Sequence, residues 1–213
     1  MTAFGSTPFL YPIIDTGVCA ARSLDPVALA AAYFSGGARI VQLRHKDTSS
    51  ANFLELADEI VRQARVRGGA VIINDRADIA KLSGADGVHV GQEDLTVVDA
   101  RRVVGESAIV GVSTHDEAQI AAAAASSASY IAVGPIFETA TKATGYAARG
   151  LALVRRAAVT GKPVVAIGGI TLDRAAEVVE AGAASVAVIS DLLDGGDPEA
   201  RVRAYVARLS GRV

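Results

Sequence analysis

The sequence predicts a (β/α)8 barrel, in which a closed parallel sheet is surrounded by helices. Short apolar runs typical of strands alternate with helical segments, and about eight strand–helix units can be counted. Such alternation is typical of parallel sheets, and eight units close a barrel. An open doubly wound sheet is the alternative, although it usually has fewer strands in a chain of 213 residues. Because no break in composition marks a boundary, we expect residues 1–213 to form one barrel domain, with 1–8 as an N-terminal tail.

The individual elements are predicted from capping signals and from periodicity. Asp25-Pro26 begins the first helix and Gly36-Gly37 ends it. Ser49 or Ser50 begins a longer helix whose apolar residues recur at helical spacing. The predicted order is strand 9–14, helix 26–34, strand 39–45, helix 49–67, strand 70–73, helix 77–82, strand 87–90, helix 96–104, strand 108–112, helix 116–125, strand 130–133, helix 151–158, strand 164–167, helix 173–181, strand 185–189 and helix 199–209.

Charge and cysteine content exclude several classes of partner. Lysine and arginine number 21 and aspartate and glutamate 23, so the formal net charge of −2 gives no general attraction for nucleic acid or an anionic membrane. No apolar run approaches the roughly 20 residues that span a bilayer, and the N-terminus lacks the basic region of a signal peptide. Cys19 is the only cysteine, which fits a reducing compartment. We therefore expect a cytoplasmic protein that binds neither nucleic acid nor membrane.

The second predicted strand carries an unusual row of polar side chains. Because strand side chains alternate with period two, Gln42, Arg44 and Lys46 should project to one side of the strand and His45 to the other. Most other predicted strands are apolar throughout, which indicates a sheet covered on both faces. Unpaired buried charge is costly. The row therefore predicts an anionic partner inside the barrel.

Two aspartates follow neighbouring strands. Asp75 comes after the third strand and Asp94 after the fourth, at the end of the barrel where proteins of this fold place their active sites. Mg²⁺ is typically held by one or two carboxylates together with water and substrate phosphates. Each aspartate could instead cap the following helix, and Arg76 could simply pair with Asp75. The nearby cationic row favours a Mg²⁺ site that also holds a diphosphate.

The loops after the last strands have both a functional and a plain structural interpretation. Gly168-Gly169 and Ile189-Ser190 follow the seventh and eighth strands, whose loops form a phosphate site in many barrels. A tight turn explains a glycine pair equally well. Lys142 belongs to a polar loop that is either a lid or a solvated connection.

The histidines do not form a metal-binding pattern. His89, between apolar neighbours, is expected to be a hydrogen-bonded structural histidine. His115 could be an N-terminal helix residue, and His45 should pack on the helix-facing side of its strand or support the site. The sequence also lacks a nucleophile elbow and the glycine-rich fingerprints of dinucleotide and P-loop sites.

Taken together, these segments resemble the thiamine phosphate synthase family. The resemblance runs in the family's order from Tyr11 to about Leu193, and several motifs in one order are more specific than any one of them. The matching segments are 41–46, 73–76, 86–95, 111–115, 133–137, 139–142, 166–170 and 186–190. The resemblance implies a barrel, usually dimeric, that joins 4-amino-2-methyl-5-hydroxymethylpyrimidine diphosphate to 4-methyl-5-(2-phosphooxyethyl)thiazole. The products would be thiamine phosphate and diphosphate.

The resemblance also implies roles for individual residues. Asp75 and Asp94 match the Mg²⁺-binding positions, and Gln42 and Ser113 match positions beside the pyrimidine. The diphosphate surroundings match Arg44, Lys46, Asn74 and Lys142. The thiazole-phosphate site matches Thr139, Thr141, Gly169, Ile189 and Ser190. Within these sets, Ser113, Lys142 and Arg44 are the expected catalytic residues.

The chain departs from the family pattern at three positions. His45 replaces an acidic residue, Ser129 stands where aspartate is usual, and Arg174 stands where asparagine is common. None of the three is an expected reacting position.

Two related functions compete with the synthase. A thiazole tautomerase on the same fold would need no diphosphate machinery, and it typically lacks the complete sets present here as Gln42/Arg44/Lys46 and 139–142. A non-catalytic phosphate-binding barrel would tolerate the loss of one carboxylate, whereas both are present.

Overall fold

The computed structural model describes residues 7–46, 48–139 and 146–211 of the chain. The strands are β1 (Phe9–Asp15), β2 (Ile40–Arg44), β3 (Ala70–Asn74), β4 (Gly87–Val90), β5 (Ile109–Thr114), β6 (Tyr130–Val133), β7 (Val164–Ile167) and β8 (Ser185–Val188). The helices are α1 (Thr16–Ala21), α2 (Pro26–Ser35), α3 (Ser50–Arg67), α4 (Ala77–Ser83), α5 (Val97–Val104), α6 (Glu117–Ala125), α7 (Gly150–Ala158), α8 (Ala175–Glu180) and α9 (Pro198–Leu209), with a 3-10 helix at Ser190–Leu193.

The eight strands form a closed barrel in chain order, and every neighbouring pair is parallel. The predicted (β/α)8 barrel is therefore confirmed. In the register, Gln42 lies beside Ile13 of β1 and Ile72 of β3, and Asn74 lies beside His89 of β4. Because all strands run the same way, their carboxyl ends and the polar residues that follow them meet at one mouth of the barrel.

Two apolar layers stabilise the barrel. Residues such as Ile14 and Leu43 point outward and pack beneath the helices, and both are fully buried. Residues of the opposite parity, including Tyr11, Ile13 and Tyr130, fill the inside of the barrel. The polar residues of the mouth lie directly above this inner apolar layer.

Capping residues explain where the helices begin. The Asp25 side chain accepts hydrogen bonds from the backbone of Val27 and Ala28, and the Ser49 hydroxyl accepts one from Asn52. The longest helix, α3, has 18 residues and buries one face only. Within the described ranges, no helix is long and apolar enough to cross a membrane.

The structure adds two elements that the sequence did not predict. Helix α1 begins after Asp15, whose carboxylate accepts a hydrogen bond from the Val18 amide, but its six residues lack a helical apolar pattern. The four-residue 3-10 helix at Ser190–Leu193 is too short to produce any periodicity. Among the predicted elements, β5 extends two residues further to Thr114, and α8 is shorter than predicted because residues 172–174 form turns.

Candidate active site

A cavity of about 330 Å³ opens at the mouth formed by the carboxyl ends of the strands. Many of the residues predicted to bind substrates line it. They are Gln42, Arg44, Asn74, Ser113, Thr139, Gly169, Ile189 and Ser190. A second, more open groove beside the mouth contains Asp75 and Asp94. Thr141 and Lys142 were also predicted as site residues, but they lie outside the described residues.

Strand β2 turns its polar residues inward, as the period-two pattern predicts. Gln42 is buried and its Nε2 donates a hydrogen bond to the Tyr11 hydroxyl at 3.3 Å. Arg44 Nη1 donates to Asp15 Oδ2 at 2.5 Å. Asp15 is buried at the end of β1, so its charge and that of Arg44 offset each other. Arg44 is thus paired within the protein with Asp15, which was not among the predicted site residues.

His45 lies on the opposite side of the same strand. Its ring packs edge-on against Phe53 of α3, with centroids 5.4 Å apart, and its Nδ1 is 2.8 Å from the Thr16 hydroxyl. Burial lowers the pKa of His45, which favours the neutral ring. The predicted packing role on the helix-facing side is confirmed.

Asp75 and Asp94 form an interacting carboxyl pair. The Asp75 carboxylate pairs with the Lys46 ammonium, and the Asp94 carboxyl group lies near enough to share a proton with it when one of the two is protonated. Burial acts to raise the pKa of Asp75, but the hydrogen bonds from Lys46 and Asp94 outweigh it and lower the pKa. Burial and the Asp75 hydrogen bond raise the pKa of Asp94. Lys46 therefore keeps the Asp75 carboxylate ionised, whereas the Asp94 carboxyl group holds a proton more readily.

Local backbone geometry places this pair. Asp75 has a φ of +63°, which is uncommon for a residue with a side chain, and its amide donates to the His89 carbonyl at 2.7 Å. Asp94 Oδ2 accepts from the Gly91 amide at 2.7 Å. The alternative that Asp75 caps the following helix is wrong, because no side chain caps the N-terminus of α4. Arg76 pairs with Asp78 at 2.5 Å.

The carboxyl pair fits a hard divalent cation. The described residues contain no cluster of three or more histidine, cysteine, aspartate or glutamate side chains that could hold a metal. The protein would therefore supply two carboxylates, and the remaining ligands would be water and phosphate oxygens, as is usual for Mg²⁺. Lys46 lies against the same pair and adds a positive charge for an anionic ligand.

The loops after β7 and β8 form the opposite side of the cavity. Gly169 has a φ of +64°, and a Cβ atom there would lie 2.5 Å from the Glu138 carbonyl oxygen. Only glycine permits this close approach. The 3-10 helix after Ile189 is held by Asp191, which pairs with Arg201 at 2.9 Å and accepts from the Tyr205 hydroxyl at 2.6 Å.

Arg174 lies at this side of the cavity as well. Its guanidinium is 4.5 Å from the centre of the Phe137 ring, and its Nη1 donates to the Gly169 carbonyl at 3.3 Å. Arg174 lines the cavity together with Gly169 and Ser190. The residue that departs from the family pattern therefore stands beside the predicted phosphate loops.

Tyr11, Tyr130 and His89 form a polar floor that the sequence reading did not include in the site. The two tyrosine hydroxyls are 3.1 Å apart, the Tyr130 hydroxyl is 2.8 Å from His89 Nδ1, and His89 Nε2 is 2.8 Å from Ser113 Oγ. His89 is buried and hydrogen-bonded, which confirms the structural prediction, but it also lines the cavity. The alternation of side chains along β4 could have indicated this position, because it turns His89 toward the inside of the barrel.

His115 does not belong to a helix. It precedes Asp116, the N-cap of α6, so the suggested helical position is wrong. Its Nδ1 is 2.6 Å from the Gly134 carbonyl oxygen and its ring stacks on Tyr146 at 4.1 Å. His115 lines the cavity, where these contacts fix its ring.

Fold and site together define a (β/α)8-barrel protein whose polar cavity lies at the carboxyl ends of its strands. Residues 10–192 match the sequence model of the family described as thiamine monophosphate synthase. The chain therefore belongs to the thiamine monophosphate synthase family.

Individual relatives agree with this assignment. The chain is 48% identical over 177 residues to the thiamine-phosphate synthase of Anaeromyxobacter dehalogenans, an alignment that covers 83% of this chain and 79% of the relative. It is 41% identical over 204 residues to that of Chromobacterium violaceum, covering 95% and 97%. The structure of thiamine phosphate pyrophosphorylase from Pyrococcus furiosus superposes with a TM-score of 0.86 and 27% identity, covering 95% and 96%.

Proposed function

We propose that this protein joins an aminopyrimidine diphosphate to a thiazole phosphate, with thiamine phosphate and diphosphate as products. The full substrates are 4-amino-2-methyl-5-hydroxymethylpyrimidine diphosphate and 4-methyl-5-(2-phosphooxyethyl)thiazole. Family membership over residues 10–192 and the names of the relatives support this reaction. The observation that carries the proposal is the interacting Asp75–Asp94 pair with Lys46 beside a cavity that Arg44 lines.

The carboxyl pair and its cations are suited to a diphosphate. Asp75 and Asp94 would hold Mg²⁺, which when bound would neutralise charge on the diphosphate and assist its departure. Lys46 keeps Asp75 ionised and faces the same region. Arg44 and Asn74 line the adjacent cavity wall and would contact the diphosphate from the barrel side. These groups are held in place before the reaction, so they stabilise the leaving group electrostatically.

The remaining contacts divide between the two substrates. Gln42 and Ser113 would bind the pyrimidine from the floor of the cavity. The thiazole phosphate would lie at the side formed by Thr139, Gly169, Ile189 and Ser190. Thr141 is proposed as a further contact for it on the resemblance alone. Lys142 is proposed as a further cation for the diphosphate, and Ser113 and Arg44 as catalytic contacts.

The proposed reaction breaks one carbon–oxygen bond and forms one carbon–nitrogen bond. The bond from the pyrimidine methylene to the diphosphate breaks first, and the electron-rich aminopyrimidine stabilises the resulting cation. The thiazole nitrogen then donates its electron pair to that carbon. No covalent enzyme intermediate is needed, because holding the two rings together supplies a high effective concentration.

Product analysis tests the proposal directly. The protein is incubated with both substrates and MgCl₂, and thiamine phosphate is sought by mass spectrometry, with single-substrate and EDTA controls. We expect product only in the complete mixture. Absence of product, combined with proton exchange on the thiazole, would favour the tautomerase instead. Ligand binding without turnover of either kind would favour a non-catalytic barrel.

We also propose a homodimer, which the resemblance to the family implies. Sedimentation equilibrium at several concentrations checks this assembly. A single species with the mass of one 213-residue chain at all concentrations would contradict it.

A further inference from the structure

A continuous chain of hydrogen bonds crosses the inside of the barrel from Gln42 to Ser113. Gln42 Nε2 donates to the Tyr11 hydroxyl at 3.3 Å, and the Tyr11 and Tyr130 hydroxyls are 3.1 Å apart. The Tyr130 hydroxyl is 2.8 Å from His89 Nδ1, and His89 Nε2 is 2.8 Å from Ser113 Oγ. The five residues belong to five different strands, so closure of the barrel creates the chain.

The amide at one end of the chain favours one direction for the bonds that follow it. A tyrosine hydroxyl that accepts from Gln42 Nε2 has its own proton left for the next oxygen. When Tyr11 gives that proton to the Tyr130 hydroxyl, Tyr130 in turn donates to His89 Nδ1. A neutral imidazole that accepts at Nδ1 carries its proton on Nε2, so His89 donates to Ser113 Oγ. The Ser113 hydroxyl proton is then left for a ligand in the cavity, which Ser113 lines.

Packing holds the middle of this chain in one geometry. Tyr130 is fully buried, stacks on His89 at 5.6 Å and meets the Tyr11 ring edge-on at 6.0 Å. Gly111 makes room for it, since a Cβ atom at that position would lie 2.0 Å from Tyr130 Cζ. Burial raises the pKa of both tyrosines, so their hydroxyls keep their protons near neutral pH.

The two ends of the chain present complementary groups to the cavity. Ser113 offers a proton, whereas Gln42 Oε1 makes no hydrogen bond to any of the described residues and remains an acceptor. An aminopyrimidine has ring nitrogens that accept and an exocyclic amine that donates. The corresponding oxo-pyrimidine carries a proton on the ring nitrogen next to its carbonyl group and has no amine, so it reverses that pattern.

We propose that Tyr130 and His89 are positioning residues that fix Ser113 as a hydrogen-bond donor and thereby select an aminopyrimidine over an oxo-pyrimidine. This inference deepens the proposed function and rests on it. Neither Tyr130 nor His89 needs to touch the substrate for this effect, because each hydrogen bond in the chain determines which atom of the next residue donates.

Removing one hydroxyl from the chain tests the proposal. Tyr130→Phe keeps the ring but leaves His89 Nδ1 without its donor. We expect kcat/KM for the aminopyrimidine diphosphate to fall about tenfold, the worth of one buried hydrogen bond. The KM for the thiazole phosphate should stay near wild type, and the melting temperature should fall by a few degrees because buried polar groups lose their partner. Tyr33→Phe is the matched control, because the Tyr33 hydroxyl on helix α2 is buried, has no hydrogen-bond partner among the described residues and does not line the cavity.

A double-mutant cycle separates positioning from general packing. In a Ser113→Ala background, Tyr130→Phe should reduce kcat/KM by less than about twofold, because Tyr130 acts through Ser113. A tenfold reduction in both backgrounds would overturn the proposal. So would a Tyr130→Phe variant that matches wild type in kcat/KM and in its preference for the amino over the oxo substrate.

The tautomer of His89 gives a readout that does not depend on turnover. Nitrogen-15 NMR of histidine-labelled wild-type protein should show His89 with its proton on Nε2. Signals of the other two histidines are assigned with His45→Gln and His115→Gln. A proton on Nδ1 would overturn the proposal whether or not the protein is active. If wild type makes no thiamine phosphate but the Nε2 tautomer is found, the proposed function fails while the bond direction stands.

Discussion

Replacement of Asp94 by asparagine should make the metal-free protein more stable and should remove its response to Mg²⁺. The Asp94 carboxyl is in hydrogen-bond contact with Asp75, and its pKa is raised by burial and by that contact. At neutral pH the pair therefore carries a repulsion that the unfolded chain lacks. An asparagine can still accept from the Gly91 amide through its carbonyl oxygen, and its amide can donate to Asp75.

The size of the gain follows from charge and exposure. Two unit charges about 4 Å apart in a water-like medium repel by about 1 kcal/mol. Although its carboxyl group is partly desolvated, Asp94 is an exposed residue, so solvent screening keeps the gain at or below this value. For a domain of this length, 1 kcal/mol corresponds to an increase in melting temperature of about 2–4 °C. Since the folded-state pKa of Asp94 is raised, the gain is present above that pKa and disappears as the pH falls below 3.8, its ordinary value.

Thermal unfolding in EDTA, and again in MgCl₂ with diphosphate, measures both effects. Wild type should gain several degrees from Mg²⁺ and diphosphate together, whereas Asp94→Asn should gain little. Glu93→Gln is the matched control, because Glu93 is an exposed neighbouring carboxylate in the same groove. It should keep the wild-type melting temperature in EDTA and the full Mg²⁺ response. An Asp94→Asn variant that is less stable than wild type in EDTA, or that keeps the Mg²⁺ response, would refute the reasoning.

Three further predictions concern the surroundings of the site. Lys46→Met should raise the pKa of Asp75 and the KM for the pyrimidine diphosphate. The variant should also lose stability at neutral pH, since it lacks this ion pair. Because the folded-state pKa of Asp75 is lowered in wild type, the loss should shrink as the pH falls below 3.8. Arg174→Asn should raise the KM for the thiazole phosphate severalfold in low salt, whereas the KM for the unphosphorylated thiazole alcohol should not change. Equal effects on the two KM values would exclude a contact between Arg174 and the phosphate. Gly111→Ala should destabilise the fold by about 2 kcal/mol or more in urea unfolding, since its Cβ would overlap the Tyr130 ring; unchanged stability would contradict the packing.

The inward row of β2 was predictable because it depends on a local rule. Period-two alternation aims Gln42 and Arg44 inward whatever the rest of the chain does, and the structure places both in the cavity. The same rule put His45 on the opposite face, where it packs against Phe53. The barrel itself was predictable for a similar reason, since eight apolar runs that alternate with helices leave few other arrangements.

Pairings between distant strands could not be read from the sequence. Asp15 directly follows the predicted strand 9–14, but barrel closure brings it to Arg44, and it also caps α1. Tyr11 and Tyr130 are 119 positions apart and meet only because β1 and β6 face each other across the closed barrel. The positive φ of Asp75, which aims its carboxylate at Lys46, likewise has no signal in the sequence.

Phosphorus-31 NMR of a complete reaction mixture tests the central claim most directly. The claim is that one site at the barrel mouth releases diphosphate from the pyrimidine only as part of its condensation with the thiazole phosphate. We predict that inorganic diphosphate and thiamine phosphate accumulate in equal amounts, that both require MgCl₂, and that Asp75→Asn abolishes both together. Diphosphate release without thiamine phosphate, or thiamine phosphate formation at the full rate in EDTA, would contradict the account.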